Sequence, residues 1–246
     1  MDNTLSIALS RLSAQQQALD VVANNIANAS TPGYRAERTV FADWLLAEPA
    51  GAEPKGGRII AFTQTRATYR DRAEGTLTQT GNPLDLAMSG DGWFTVQTPN
   101  GTRLTRAGRF TLQNNGEITD TAGNALLDVN GQKLTLSPAD TDLTVKSDGT
   151  LRSQNGTIGT IAVVRPNDPN RITAEGGRLF RADVPTTPVA GPKILQGMVE
   201  DSNVQPIGEI TRMISSERDF QFVTQLVEAE GTRKQSAIDK LVAPAA

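Results

Sequence analysis

Leu5, Leu12, Leu19 and Ile26 stand seven residues apart near the head of the chain. Ala8/Leu9, Gln15/Gln16 and Val22/Ala23 fill the three- and four-residue steps between them. That is a heptad seam on a helix. At ~1.5 Å of rise per residue, a helix over residues 3–28 is about 39 Å long. A helix of that length cannot hide its own seam, so the sequence demands a partner for it. The end of the helix is sharply marked. Asn24, Asn25 and Asn28 cluster where it should close, and Asn tolerates left-handed backbone. Thr31-Pro32-Gly33 then stops it, because the residue before proline avoids the helical region and proline brings no amide donor.

A candidate partner appears late in the chain. Asn203 can cap a second helix, with Pro206 in its tolerated first turn. Ile210, Met213/Ile214, Phe220, Val223, Val227, Ile238 and Leu241 follow at three- and four-residue steps, interrupted by Glu217, Gly231 and Lys234. The simplest closure pairs the two helices as an antiparallel coiled coil. Both seams are dilute, so such a pair is expected to be marginal alone and to need neighbouring chains. The predicted assembly seam is Leu5, Leu12, Leu19 and Ile26 with Ile210, Ile214, Phe220, Val227, Ile238 and Leu241.

Between the helices the chain changes character. Residues 36–80 read as an extended connector, with a short apolar patch over 39–46, a loop over 49–57 and a strand or two over 59–77. Residues 81–195 read as a β-rich domain. Asn100-Gly101, Asn115-Gly116, Asn130-Gly131, Asp148-Gly149 and Asn155-Gly156 are hairpin signals, on the expectation that both turn positions take positive φ. Residues 111–118 and 144–151 match each other and predict equivalent hairpins. Residues 93–96 and 160–164 predict core strands. The expected fold is α+β and mainly β, with long N- and C-terminal helices pairing as a coiled coil around a central β-rich domain. The expected division is 1–35 and 196–246 as two halves of a helical core, 36–80 as connector and 81–195 as β domain.

The chain has neither cysteine nor histidine. Disulfides, thiol nucleophiles, Cys/His zinc sites and imidazole bases are excluded together. No catalytic, cofactor-binding or metal-binding residues are assigned. The net charge is −3; residues 1–195 carry 19 acidic and 19 basic side chains, and residues 196–246 carry 8 and 5. No basic face is available for phosphates, so no nucleic-acid partner is expected. No run approaches the ~20 apolar residues of a membrane span, and no basic start followed by an apolar run marks a cleaved secretory signal. Asp140-Thr141-Asp142 and Glu200-Asp201 are carboxylate pairs of the kind a glycoside-cleaving enzyme uses. They precede a strand and a helix cap respectively, and read as solvated turn acids.

The twelve residues from Asn24 to Arg35 resemble the N-terminal signature of the bacterial flagellar axial proteins, the rod, hook and hook-associated family. Gly81-Asn82-Pro83-Leu84-Asp85-Leu86-Ala87-Met88-Ser89-Gly90-Asp91-Gly92-Trp93-Phe94 and Leu104-Thr105-Arg106-Ala107-Gly108-Arg109-Phe110, leading into Gly116-Glu117-Ile118, resemble its internal signature. Gly197-Met198-Val199-Glu200-Asp201-Ser202-Asn203-Val204 resembles its C-terminal signature, in which a glutamate precedes Ser-Asn-Val. Tyr34 stands where phenylalanine is more usual and keeps the ring. The motif residues so marked are Asn24, Asn25, Asn28, Pro32, Gly33, Tyr34, Gly90, Gly92, Trp93, Phe94, Ser202, Asn203 and Val204. The resemblance implies a structural subunit of the basal-body rod, of the proximal kind, polymerising through its terminal helices to transmit torque for swimming. A distal rod subunit is the alternative within the family, and a peptidoglycan-cleaving enzyme the alternative of another class. The implied partners are copies of itself, other flagellar rod proteins and the flagellar type III export apparatus, with no membrane insertion, small-molecule substrate or cofactor. The implied location is the periplasmic rod, reached without cleavage of a signal peptide.

Overall fold

The computed structural model describes residues 2–47, 59–169, 171–176 and 178–242. The chain forms two units. A helical unit is drawn from Met1–Ala27, Glu37–Arg70 and Gln205–Ala246, and a β unit from Asn28–Ala36 and Asp71–Val204.

In the helical unit, α1 (Asp2–Ala27) runs for 26 residues and α2 (Pro206–Val242) for 37. Pro206 opens α2 in the turn where a missing amide costs nothing. Two strands, β1 (Glu37–Ala47) and β2 (Ile59–Arg70), form an antiparallel hairpin whose register slips between Val40 and Phe41. Helix α1 packs against both α2 and this hairpin.

The coiled coil expected of two long terminal helices is not formed. A coiled coil gathers the large apolar residues of both helices into one seam. On α1 the buried side chains are instead Ala8, Ala14, Val22 and Asn25, while Leu12, Leu19 and Ile26 are half-buried and Leu9 is exposed. On α2, Ile210, Ile214 and Ile238 are exposed, and Phe220 and Val227 half-buried. Small residues take the deepest places on α1, and the hairpin competes for the same helix. The side chains of Leu5 and Leu241 lie outside those described. The architecture is therefore a β-rich centre with an N-terminal helix and one much longer C-terminal helix.

The β unit is organised on the strand Trp93–Thr98. It pairs antiparallel with Gly101–Thr105, Ala125–Leu126 and Val163–Pro166 within a nine-stranded sheet. The core beneath includes Phe94, Val96, Phe110, Leu126, Leu151 and Ile161. Phe94 meets Phe110 edge to face at 5.7 Å, the arrangement aromatic quadrupoles favour. The strand expected over 160–164 is divided: Thr160 closes the strand Gly156–Thr160, and Val163–Pro166 is a separate one.

The matched stretches do form equivalent hairpins, Phe110–Leu112 with Ile118–Asp120 and Thr144–Val145 with Thr150–Ser153. Their turns differ from the expectation. Gly116 N–H donates to Gln113 O at 2.9 Å and Gly149 N–H to Lys146 O at 3.0 Å. Only the glycines are left-handed, at φ 82° and 87°; among the described non-glycine residues only Asp142 has positive φ. A type I turn followed by one left-handed residue suits loops of this length. Asn115 and Asp148 serve it through their side-chain oxygens, which accept the amides of Glu117 (3.0 Å) and Thr150 (2.9 Å).

Candidate functional site: two buried polar clamps

The three signature segments lie far apart in sequence, yet the β unit brings them to one place. Glu200 stands at its centre, fully buried. Its Oε1 receives Arg35 Nη2 at 3.1 Å and the Gly75 amide at 3.2 Å; its Oε2 receives Arg106 Nη1 at 3.2 Å. Its carbonyl accepts the Gly33 amide at 2.7 Å. Arg35 also donates to the Arg72 carbonyl. Arg106 Nη2 donates to the Gly90 carbonyl at 2.6 Å, and its guanidinium lies over the Trp93 ring at 5.6 Å.

Two guanidiniums thus share one carboxylate out of water. Burial is the largest influence on Arg106 and pushes its pKa down; Glu200 opposes that, Arg35 adds to it, and Glu74 opposes it. An arginine nonetheless stays charged. Such a group is stable only while its counter-charge is present, and removing one partner of a buried pair costs about 3–5 kcal/mol.

The segment Asn28–Ala36 is seated by two further contacts. Gly33 has φ 72°, and a Cβ there would fall 2.4 Å from the backbone of Arg106 and Ala107. Only glycine fits that approach. Asn203, expected to cap α2, spends its side chain within the β unit instead. Its Oδ1 accepts the Ala36 amide at 2.7 Å, and its Nδ2 donates to the carbonyls of Ala73 (2.9 Å) and Asp71 (3.4 Å). Tyr34, Ala36 and Val204 close over one another as a small apolar cluster.

The helical unit has a clamp of its own. Glu209 sits in the first turn of α2 and is buried. Its Oε1 accepts from Arg38 Nη1 at 2.5 Å and Arg212 Nη1 at 2.8 Å, and its Oε2 from Asn25 Nδ2 at 3.1 Å. Asn25 in turn grips the start of β1 from both sides: its Oδ1 accepts the Glu37 amide at 2.8 Å and its Nδ2 donates to the Glu37 carbonyl at 2.9 Å. Burial raises the pKa of Glu209, but hydrogen bonds from Arg38 and Asn25 and the charges of Arg38 and Arg212 outweigh it and hold the carboxyl below its ordinary range.

Three family models match the chain in order: the flagella basal body rod protein over residues 5–35, the flagellar hook protein FlgE/F/G D1 domain over 87–153, and the flagellar basal body rod FlgEFG protein C-terminal region over 195–240. Arg35, Arg106 and Glu200 come one from each. The flagellar basal-body rod protein FlgF of Caulobacter vibrioides is 36% identical over 98% of both chains. The chain belongs to the flagellar basal-body rod protein family. The FlgF of Mesorhizobium japonicum is 34% identical over 98% of both chains, and the rod protein FlgG of Caulobacter vibrioides 30% identical over 91% of this chain and 93% of its own. This rod protein is most like the FlgF relatives. It is a structural subunit, not an enzyme.

One carboxylate of each pair that a wall-cleaving reading would use, Asp140 and Glu200, is engaged in the rod protein's own structure. Asp140 accepts from Ser153 Oγ (2.7 Å), Asn155 Nδ2 (3.0 Å) and the Ser137 amide (2.8 Å), and Glu200 is held by its two arginines. Among the motif residues, Gly33, Tyr34 and Val204 are buried in the β unit, where Asn28, Pro32, Ser202 and Asn203 are half-buried. Gly92 and Phe94 are buried there too, with Trp93 half-buried against Phe180 at 4.7 Å and Gly90 exposed. Asn25 is buried in the helical unit, and its neighbour Asn24 is exposed.

Arg35 and Arg106 carry no mark in the sequence beyond lying inside signature stretches, and Glu200, which reads there as a solvated turn acid, is instead 2% exposed because two arginines hold it. A charge flanked by apolar and glycine residues was the available signal. Glu209 gave less: an acid in a first helical turn reads as a partner for the helix dipole. Arg38 gave none.

Proposed function

We propose that the chain occupies the proximal segment of the rod and polymerises there through α1 and α2, transmitting torque for swimming. The observation that carries this is the apolar surface left outside both helices: Leu9 on α1, and Ile207, Ile210, Met213, Ile214, Phe222, Leu226 and Ile238 on α2 are all exposed. Apolar surface of that extent marks a site of association. The occupants are further copies of this chain and adjoining rod subunits, set head to tail so that contacts repeat without closing. Of the seam Leu5, Leu12, Leu19 and Ile26 with Ile210, Ile214, Phe220, Val227, Ile238 and Leu241, the exposed members Ile210, Ile214 and Ile238 meet the neighbour directly, while Phe220 and Val227 lie on the inward line of α2 and support them from within. The resemblance to FlgF proteins over nearly the whole chain favours the proximal position. Delivery runs through the flagellar type III export apparatus, without signal-peptide cleavage, to the periplasm.

Leu19→Asp is expected to abolish rod assembly and motility while leaving the β unit folded. Motile cells building rods from the Leu19→Asp protein would refute the seam. The position is read by deleting the gene and imaging purified basal bodies: structures ending near the inner ring, restored by the intact gene, are expected. The likeness to FlgG, which extends over 91% of the chain, supports the distal alternative; a rod without a hook would select it.

A further inference from the structure

The beginning of α2 is turned inside out. Ile207, Ile210, Met213 and Ile214 are exposed, Ile207 to 83%, while the charged Glu209 is 1% exposed. At ~100° per residue, Ile207, Ile210 and Ile214 fall within about 60° of one another and Glu209 lies about 100–160° away. Ser216, Phe220, Val223, Val227 and Lys234 continue the line that Glu209 begins, at steps of seven, four, three, four and seven, and all are buried or half-buried. Apolar transfer favours the opposite rotation for the first turns, since each isoleucine gains by burial and a carboxylate loses. A specific set of contacts must therefore hold the charge inward.

That set is the clamp on Glu209. Arg38 reaches it from β1, Asn25 from α1, and Arg212 from the next turn of α2 itself. Asn25 is fixed to the Glu37 backbone by two hydrogen bonds, so the carboxylate is anchored to a point that cannot slide along the helix. We infer that Glu209, gripped by Arg38, Arg212 and Asn25, is the positioning residue that sets the rotation of α2 and turns the Ile207–Ile210–Ile214 row outward. The identity of the row's occupant, a neighbouring rod subunit, rests on the assembly reading above; the rotation does not.

The absence of native cysteine makes the test clean. In the isolated full-length chain, Ile210→Cys reports the outward face and Ser216→Cys the inward one, each through its rate of maleimide labelling. The outward site is expected to label several-fold faster. Glu209→Lys, which sets a cation against Arg38 and Arg212, is expected to lower that rate ratio by about fivefold or more. Arg38→Glu is expected to act in the same direction, and the swap of Arg38→Glu and Arg212→Glu with Glu209→Arg to bring the ratio back to within about twofold. Should Glu209→Lys fail to fold, the isosteric Glu209→Gln must still lower the ratio. A ratio unmoved by the single variants, or not restored by the swap, overturns the inference. Ile210→Asp with Glu209 intact tests the occupant separately. Rods built normally from that variant, alongside a ratio that collapses in Glu209→Lys, would leave the pin standing and remove the assembly reading.

Discussion

The β unit and the helical unit handle apolar surface in opposite ways. In the β unit, Phe94, Phe110, Phe180, Leu86, Ile118, Leu126 and Leu151 are all 2% exposed or less. Among the described side chains of the helical unit, the buried apolar residues are Ala8, Ala14, Val22 and Val223, while ten large apolar residues stand exposed. Both units place charge where it is hard to reach, Glu200 in one and Glu209 in the other. In the β unit the charge sits beside an already complete core. In the helical unit it stands in for one. A unit of the first kind holds itself; the second holds only its geometry and leaves its apolar surface outward.

Phe94→Ala should break the comparison from the β side. It empties a filled core position and is expected to lower the stability of the β unit by about 3–5 kcal/mol, read from urea unfolding. Glu200→Ala comes next, at about 3 kcal/mol, because Arg35 and Arg106 are left buried without their carboxylate. A loss under 1 kcal/mol would mean that the junction adds little to stability.

Acid sharpens the helical side. The Glu209 carboxyl is held below its ordinary range, so its stabilisation is complete above that range and is lost as pH falls through the lowered folded-state value. Hydrogen exchange in the first turns of α2, corrected for its intrinsic pH dependence, is expected to quicken across that window. Core amides around Phe94 should not respond in the same window. The smallest effect on stability is expected from Ile214→Asp, within about 0.5 kcal/mol in the isolated chain, and this is the variant whose loss should appear only in rod assembly.

Periodicity revealed the two helices because it is a local property. The first ends where Asn25, Asn28 and Pro32 signal, one residue before the expected limit, and Pro206 begins the second. The signatures at Gly33–Arg35, Arg106 and Ser202–Val204 showed that these segments matter, but not that they meet, since their meeting depends on long-range closure. The phase of α2 misled for a definite reason. Counting isoleucines selects the Ile210–Ile214 face, whereas the line that is buried starts at a glutamate whose partner, Arg38, lies 171 residues away. Hydropathy patterns carry no term for a charge that is anchored from another element. The chemistry of the turns at 113–117 and 146–150 was legible in their glycines and not in Asn115 and Asp148, which use their side-chain oxygens where left-handed backbone was expected.

Asn25 and Glu209 are 184 residues apart. Closing so long a loop is entropically slow to repay, and the contact can form only after α2 exists. The helical unit is therefore an event late in time as well as a region in space. A chain that stops short of residue 209 carries every residue needed for the Glu200 junction, and none of the means to fix α2 in phase.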